Sequence, residues 1–594
     1  MIPARVSIGS HKYIADISKA IRRPIQSLRQ SVDQGGQAGE QSLDNQAIWK
    51  RTSSDFILGQ GQEFFDQEDE ANRRRCYALE NFDSISNRRA LRTSSSDVTA
   101  VASFAAAGSY HRLIRTPSNF WWGSGSQLHR SASLTSFTET SVTGGPGVAS
   151  FRDMTTFGSN VYVAYSTDVY SGSSDGSTVS LFSTENVDVI NADLGRLVCG
   201  KTTSLFELSS TGTKIDIFTH PNSSWNWTSF AGGNAGIYCA GNDGGRSEIY
   251  LITVIDSTGA LAAPIPVAQL PYGELIRRIV YFGGFLVMCT SRGVRLAQAA
   301  TSGLLQYGPL IPLGDTRGVN FDGRFAYVTC DSTPVFDNPG IIALSLDRFT
   351  APLTPAYCAI AVFDTATAYT VWDVSNNGSS VCALMGAAGS NTIRYSSSTV
   401  YGTGKYWSGE ISFGVPIKKN VISLEVKHDA LLSGTSVTAK LYDRVNGTLY
   451  GTQTNSTVDS TEFTLVPSTE MLSETIQIYL EASGTTSNPV TVRRWTLSSV
   501  PVPTSMSEEI ILPLMLSREV YGEDGTLDTL DPQTEWNYLT GIMRSRSQVS
   551  VTFGSETLTA WVDQVGSEQG WTRFDDRDRW PEGTVLVRLL TVGS

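Results

Sequence analysis

The stretch GIYCAGN, residues 236–242, shows the pattern that decides the fold. A turn residue, Gly236, precedes a short apolar run, and polar residues follow it. This pattern is typical of a short buried strand bounded by turns. It recurs six more times, in NFWWGS at Trp121, NVYVAYS at Val161, GRLVCGK at Leu197, GFLVMCTS at Phe285, RFAYVTC at Phe325 and AYTVWDV at Tyr369.

These repeats are evenly spaced. Their successive separations are 40, 36, 40, 48, 40 and 44 residues. A four-stranded propeller blade takes about 40–50 residues. The spacing therefore predicts a mainly β protein with a seven-bladed β-propeller over residues 95–402. A pair of β-sandwiches is the alternative, but its strands would not keep a near-constant period over so long a stretch.

The chain after residue 402 has a different pattern of apolar and polar residues. Strands such as VISLEVKHD and SVTAKLYDR alternate apolar and polar positions, which predicts an antiparallel β-sandwich over residues 403–500. A proline-rich boundary follows, and residues 501–594 are predicted to form a small α+β unit. Its helix should begin at Pro532 with Asp531 as the N-cap, followed by the strands QVSVTFG, TLTAWVDQ and VLVRLLTV.

The N-terminal segment, residues 1–48, is predicted to be a basic helical or extended arm and linker. Its apolar residues recur in steps of three and four, which indicates helices interrupted at Pro24; they are Ile14, Ile17, Ile21, Ile25, Leu28 and Val32. Such an arm docks on a partner or packs on its own chain, and the residues do not decide between the two.

Composition excludes several classes of protein. The net charge is −12, and 40% of the residues are apolar, which argues against disorder and against coating nucleic acid. No signal peptide and no membrane-spanning segment is expected. The seven cysteines lie in or near apolar runs and are predicted to be free buried thiols. The five histidines lack metal-ligand spacing, so we expect no metal and no cofactor.

Residues 49–94, here called the leader, begin WKRTSSDFILGQGQEFFDQED. The G-x-G of Gly59 and Gly61 lacks the third glycine of a dinucleotide loop and is followed by acids that would repel phosphate. An acidic run, FDQEDE, then precedes a basic run that contains Arg73, Arg74 and Arg75. Adjacent blocks of opposite charge favour a subunit contact over a solvated face or a nucleic-acid site.

A catalytic constellation is not recognised in the sequence. GEDGTLDTLD, residues 522–531, lacks the spacing of a calcium loop and is interpreted as a solvated turn before the helix. FDDRDRW, residues 574–580, alternates acids with arginines and reads as a salt-bridged loop. There is no G-x-S-x-G motif. We therefore expect that the protein is not an enzyme.

The leader resembles that of minor tail proteins of tailed bacteriophages, especially phages that infect actinobacteria. In that family a W-x-R-S-x-x-D-F-x-x-G-x-G-Q-x-x-x-D string precedes propeller-like repeats. The strings TTFGSNVYVAYS, GNAGIYCAGNDGGRSEIYLI and SGEISFGVP are also similar to the family, so the resemblance covers roughly residues 45–420. The matching positions in the leader are Trp49, Arg51, Asp55, Phe56, Gly59, Gly61, Gln62 and Asp66.

The resemblance implies a structural protein of the virion tail tip, located on the tail, with a task in host-surface recognition. It implies other tail proteins as partners, a cell-envelope glycan as the candidate host ligand, and a homo-oligomer, threefold in preference to sixfold. The leader should be held by other chains or other domains, with its glycines permitting tight turns. The expected assembly contacts are Trp49, Arg51, Asp55, Phe56, Gly59, Gly61, Phe64, Phe65, Arg73, Arg74 and Arg75.

Three tryptophans are candidates for surface recognition, because sugar rings stack on flat aromatic faces: Trp407, Trp571 and Trp580. For Trp407, at the end of the repeats, packing between domains is favoured over a ligand contact. Two other functions stay open, a hub or nozzle component in the DNA path and a propeller enzyme that degrades glycans. Neither membrane insertion nor specific nucleic-acid binding is expected.

Overall fold

The computed structural model of the chain is mainly β, built from many antiparallel sheets with one α-helix among the residues it describes. The described residues are 3–24, 48–65, 74–86, 89–105, 110–133, 139–147, 149–255, 259–332, 338–363, 370–377, 381–387, 390–413, 418–469, 471–485, 487–501, 508–521, 526–545, 547–553, 556–566 and 583–592.

Residues 95–401 form seven antiparallel sheets, numbered here 1 to 7 and together called the seven-sheet unit. Sheets 1 to 3 contain His111–Arg115, Phe120–Ser124, Gln127–Ser131 and Glu139–Ser141; Phe151–Phe157, Asn160–Tyr165, Val169–Ser173 and Ser180–Ser183; and Val189–Asp193, Arg196–Lys201, Ser204–Leu208 and Lys214–Thr219. Sheets 4 and 5 contain Asn226–Gly233, Gly236–Asn242, Ser247–Ile252 and Ile265–Gln269; and Ile276–Phe282, Phe285–Thr290, Gly293–Ala299, Leu305–Tyr307 and Ile311–Pro312. Sheets 6 and 7 contain Val319–Asp322, Phe325–Cys330, Gly340–Ala351 and Thr354–Val362; and Thr370–Asn376, Val381–Ala387, Ser390–Tyr401 and Ser95–Ala105.

The first strands of the seven sheets contact one another in order. Each first strand contacts the first strand of the next sheet, and that of sheet 7, Thr370–Asn376, contacts that of sheet 1, His111–Arg115. Sheet 7 is completed from the other end of the unit, because Ser390–Tyr401 pairs with Ser95–Ala105. The apolar second strands are packed in clusters between and within the sheets.

Six of the seven sequence repeats, from Trp121 to Phe325, lie on the second strands of sheets 1 to 6. The seventh was placed one strand too early. AYTVWDV overlaps the first strand of sheet 7, Thr370–Asn376, and the second strand is Val381–Ala387. The reason is that the first strand of sheet 7 is itself apolar, with Val371 and Val374 buried, so both strands carry the same pattern.

Residues 403–501 and the leader form two sheets around one hydrophobic core, together called the two-sheet unit. One sheet has the order Leu449–Asn455, Ser436–Asp443, Ile476–Ser483, Thr403–Trp407 and Ala78–Glu80. The other has the order Glu462–Leu465, Lys419–His428, Thr491–Pro501, Leu91–Thr93 and Phe82–Asp83, with Trp49–Ser53 paired to Thr491–Pro501 and Leu472–Ser473 to Lys419–His428. Alternate side chains face the shared core, as the period-two pattern predicted.

The terminal unit combines both ends of the chain. Its sheet has the order His11–Asp16, Pro3–Ile8, Gln548–Phe553, Glu556–Gly566, Gly583–Val592, Glu508–Leu516 and Ile21–Pro24. His11–Asp16 also pairs with Glu508–Leu516, so the sheet closes on itself. Beside it are the helix Pro532–Ser545, the 3₁₀ turn Ile17–Lys19 and a hairpin of Glu519–Tyr521 with Leu527–Thr529. The helix begins where the sequence predicted, and Asp531 O accepts from Glu535 N at 3.1 Å.

The predicted helices of the N-terminal arm are wrong over residues 13–24, which form strands and one 3₁₀ turn; residues 25–47 lie outside the described residues. Burial in Pro3–Ile8 instead alternates, with Val6 and Ile8 fully buried. The isoleucines that produced the helical spacing are β-branched and fit a strand well. Pairing with Pro3–Ile8 and with Glu508–Leu516, near the other end of the chain, decides the conformation.

The three units are nested in the sequence. The first segment pairs with the last, the leader pairs with residues 403–501, and Ser95–Ala105 pairs with the end of the seven-sheet unit. The predicted segments 1–48 and 49–94 are therefore, in their described parts, strands of the terminal unit and of the two-sheet unit. The strands of the seven-sheet unit lie between residues 95 and 401, and the last strand of the two-sheet unit ends at Pro501.

All seven cysteines are free and buried, which confirms that prediction. Within the described ranges, we find no helix with the length and apolar character needed to cross a membrane.

Candidate functional sites: an interdomain joint and a central cavity

The leader contacts both of its neighbouring units and forms a joint between them. Its strand Trp49–Ser53 pairs with Thr491–Pro501 of the two-sheet unit. Its turn reaches the last strand of sheet 6, where Gly59 forms a parallel bridge with Tyr357. The N–H of Gln60 donates to the carbonyl of Tyr357 at 2.9 Å. The leader is thus held by other domains of its own chain, one of the two alternatives that the sequence left open.

Further hydrogen bonds extend the joint along the strand Thr354–Val362. The Val362 N–H donates to Oδ1 of Asn81 at 2.8 Å, and the Ser94 hydroxyl donates to the carbonyl of Ile360 at 2.5 Å. Arg348, on the preceding strand of sheet 6, donates to the carbonyl of Ile85. The contact is therefore made at several points and involves backbone groups on both sides.

Gly59 and Gly61 allow this close approach. Gly59 has a φ of +71°, and a Cβ there would lie 2.0 Å from the carbonyl oxygen of Tyr357. Gly61 has a φ of +100°, and its Cβ would lie 2.5 Å from the Tyr357 hydroxyl. A larger residue at Gly59 would require movement of the backbone, whereas at Gly61 it would displace the ends of the Tyr357 and Arg75 side chains. The G-x-G spacing therefore serves the contact with sheet 6.

The leader aromatics pack inside the chain. Trp49 lies 5.7 Å from Phe413, Phe56 packs edge-on against Tyr406, and Phe65 lies 5.1 Å from Trp495, measured between ring centroids. Trp49, Phe56 and Phe65 are at most 7% exposed. Their predicted role as anchors in a partner's groove is corrected, because the rings are already buried in this core. Phe64 is half-buried and bridges to Glu410.

The charged leader residues also bind within the leader and the two-sheet unit. Arg51 lies over the ring of Phe413 at 4.9 Å, and Asp55 pairs with Arg74 at 3.7 Å. Arg75 donates to the carbonyls of Gln60 and Gly61 at 3.1 and 3.2 Å. These contacts stabilise the turn that carries the glycines. Arg73 lies outside the described residues.

Of the three tryptophans predicted as candidates for surface recognition, only Trp407 lies within the described residues. Trp407 is half-buried within the two-sheet unit, 4.7 Å from Tyr479 and 5.1 Å from Tyr442 between ring centroids. The favoured interpretation of packing between domains is therefore corrected, because both of these neighbours belong to the same unit as Trp407. Trp571 and Trp580 lie outside the described residues, as do FDDRDRW and residues 522–525 of GEDGTLDTLD, whereas Leu527–Thr529 of that predicted turn form a strand.

A central cavity of about 610 Å³ lies where the first strands of the seven sheets meet. Residues on, or just before, the first strands of the seven sheets form nearly all of its wall, and five arginines line it. From sheets 1 to 7 in order, the lining includes Arg112, Arg152, Asp188, Asn226, Arg277 and Arg278, Arg317 and Trp372. The volume is within the usual range of small-molecule sites.

Two arginines of the cavity share one buried carboxylate. Nη1 of Arg112 and Nη1 of Arg278 each lie 3.3 Å from Oδ2 of Asp373, which is 1% exposed. The N–H groups of Leu113 and Val374 donate to the two oxygens of Asp373, each at 2.9 Å. Asp373 is absent from the lining and lies behind the two guanidinium groups.

A second carboxylate, Asp153, is satisfied in the same way. It accepts from the N–H groups of Met154 and Ile190 at 2.9 and 3.2 Å, and Nε of Arg112 lies 3.3 Å away. Burial raises the pKa of Asp153 to about 6, and likewise that of Asp373. Desolvation therefore outweighs the stabilisation of the charged form by Arg112.

Among the residues that line the cavity, cations lie over aromatic rings. Arg152 lies over Tyr110 at 4.4 Å and Arg317 over Trp372 at 4.8 Å, while the ring of His111 lies 4.3 Å from that of Trp372. No motif in the sequence marks this cluster. Its members are spread over more than 260 residues, and only the contacts between the first strands of different sheets bring them together.

No protein family and no curated protein matches the chain. Three solved structures are similar at low identity. The computationally designed Ika8 protein matches 54% of this chain and 96% of its own, with 10% identity and a TM-score of 0.34. Virginiamycin B lyase from Staphylococcus aureus matches 50% and 98%, with 11% identity and a TM-score of 0.37. A chain of the Mitotic Checkpoint Complex matches 51% and 93%, with 9% identity and a TM-score of 0.38. Likenesses this weak carry no conclusion on function.

Proposed function

We propose that the seven-sheet unit is a closed seven-bladed β-propeller and that the two-sheet unit is a β-sandwich. The first proposal is supported by the contacts between successive first strands, which return from sheet 7 to sheet 1. It is also supported by Ser95–Ala105, which completes the last sheet from the start of the unit and so joins its two ends. The second is supported by the single hydrophobic core that the two sheets share.

We propose that this chain is a structural minor tail protein of a tailed bacteriophage, located at the tail tip and contributing to host-surface recognition. The observation that carries the proposal is the joint. The positions that resemble the phage leader string, among them Trp49, Asp55, Phe56, Gly59 and Gly61, all lie in or beside it. In this proposal the string fixes the propeller against the sandwich.

A fixed angle between domains suits a tail-tip protein. Such a protein presents one surface to its neighbours and another to the host, and a mobile linker would uncouple the two. The joint replaces a linker with a bridge to sheet 6, strand pairing to Thr491–Pro501 and buried rings. Other tail proteins and a homo-oligomeric arrangement on the virion belong to the same proposal.

The test is incorporation into phage particles. Gly59→Ala should lower the amount of the protein in purified virions, because it opens the joint, whereas Gly195→Ala should not. Gly195 has a similar φ, +75°, but a Cβ there meets nothing within 4 Å. Failure to find the wild-type protein in particles would refute the virion role. Normal incorporation and infectivity of Gly59→Ala would refute the role of the joint.

A further inference from the structure

We propose that the central cavity binds an oxyanion, the phosphate or carboxylate group of a small organic molecule, between Arg112, Arg152 and Arg278. This inference goes beyond the tail role and does not depend on it. It rests on a local excess of hydrogen-bond donors in a concave site that all seven sheets build.

The carboxylates near these arginines have little acceptor capacity left. Both oxygens of Asp373 accept from backbone N–H groups as well as from arginine, and the two oxygens of Asp153 accept from the N–H groups of Met154 and Ile190. An arginine carries five N–H donors, whereas a carboxylate offers about four acceptor positions. The two acids therefore neutralise charge but do not satisfy the donors that face the cavity.

The arginines keep unused donors. Among the described residues, Arg278 donates only through Nη1, to Asp373, at 3.3 and 3.4 Å. Arg152 makes an ion pair with Asp188 at 3.6 Å, too long for a hydrogen bond, and Asp188 is also bound by Lys201 at 2.9 Å. Nη2 of Arg112, both Nη atoms of Arg152 and Nη2 of Arg278 make no hydrogen bond to a described residue, whereas the Nε atoms of Arg112 and Arg152 are buried out of reach of a ligand. Charged donors without a partner favour an acceptor-rich ligand.

The geometry favours an oxyanion over a neutral ligand. Nη1 of Arg112 and Nη1 of Arg278 both contact the same oxygen of Asp373, so the two guanidinium groups are close neighbours. Planar guanidinium groups match the spacing of carboxylate and phosphate oxygens. The side chains of Arg112, Arg152 and Arg278 are 15–23% exposed, so a bound anion would be largely shielded from water. Shielding strengthens such contacts.

The experiment is calorimetric titration of the full-length protein with inorganic phosphate, glycerol 3-phosphate and glucuronate, with glycerol and glucose as neutral controls. At least one anion should bind at millimolar concentrations or below, and the neutral compounds should not. The phosphate and glucuronate arms distinguish phosphate from carboxylate recognition. Arg152→Gln and Arg278→Gln should each weaken binding about 10- to 150-fold, as expected for loss of a hydrogen bond to a charged group.

Arg493→Gln is the matched control, because Arg493 pairs with Asp429 on the two-sheet unit, away from the cavity, and binding should be unchanged. If Arg278→Gln fails to fold, judged by circular dichroism, Arg152→Gln decides alone, since Arg152 makes one long ion pair and one contact with the ring of Tyr110. The proposal is overturned if no anion binds, if neutral sugars bind equally well, or if Arg152→Gln leaves anion binding unchanged.

Discussion

Replacing Gly59 by alanine tests the joint most directly. The backbone at Gly59 has a φ of +71°, which costs a residue with a Cβ about 1–2 kcal/mol. The new Cβ would lie 2.0 Å from the Tyr357 carbonyl oxygen and 2.8 Å from its carbon, so one strand must move. That movement weakens two hydrogen bonds of 2.9 Å, from Gln60 N–H to Tyr357 O and from Cys76 N–H to Gly59 O, at about 1 kcal/mol each.

The expected total for Gly59→Ala is a loss of about 3–4 kcal/mol in the free energy of unfolding of the joint. The control Gly195→Ala has a φ of +75° and no steric contact, so it should lose only about 1–2 kcal/mol. In a unit of 150–250 residues, 1 kcal/mol shifts Tm by about 2–4 °C. Gly59→Ala should therefore lower the transition by about 6–16 °C, and the control by about 2–8 °C.

Differential scanning calorimetry of both full-length variants measures these shifts. Limited proteolysis provides a second readout, because an opened joint should expose the leader to cleavage between residues 49 and 94 while sheets 1 to 5 stay protected. Equal Tm shifts for the two variants, with unchanged cleavage, would mean that the contact of Gly59 with Tyr357 contributes nothing and that the reasoning about the joint is wrong.

Three further predictions concern other parts of the chain. Ile8→Ala should lower the free energy of unfolding of the terminal unit by about 2–5 kcal/mol, because Ile8 is fully buried. Ile21→Ala should lower it much less, because that side chain is 49% exposed. Equal losses for the two variants in denaturant melts would refute the pairing of the two chain ends. Trp495→Phe should reduce the stability of the two-sheet unit by about 1–3 kcal/mol. The reason is that the indole N–H of Trp495 donates to the buried Tyr406 hydroxyl at 2.9 Å, and phenylalanine has no such donor. An unchanged melting curve would contradict this prediction. Burial raises the pKa of Asp193 to about 6 from 3.8, so the folded state favours the neutral acid and the protein loses stability as pH rises from about 4 to about 6. Asp193→Asn should become more stabilising relative to the wild type through this window, by up to about 3 kcal/mol, and then level off; a difference independent of pH would show that the pKa is not raised.

Local patterns in the sequence were enough to predict much of the architecture. Short apolar runs bounded by turns located the second strands of sheets 1 to 6, because a strand buried on both faces is continuously apolar. Alternating residues predicted the strands after residue 402, and Asp531 with Pro532 predicted the start of the helix. These signals depend only on residues that are neighbours in the chain, so they can be interpreted without knowing which strands pair with each other.

The tertiary structure decided the rest, because the deciding contacts join residues far apart in sequence. Residues 13–24 show helical spacing yet form strands, since pairing with the other end of the chain supplies backbone hydrogen bonds that local preference does not outweigh. The leader was recognisable as a special segment, but only the approach of Tyr357 explains its glycines. The central cavity left no trace in the sequence, because its charged residues are far apart in the chain and only the contacts between the first strands of different sheets bring them together.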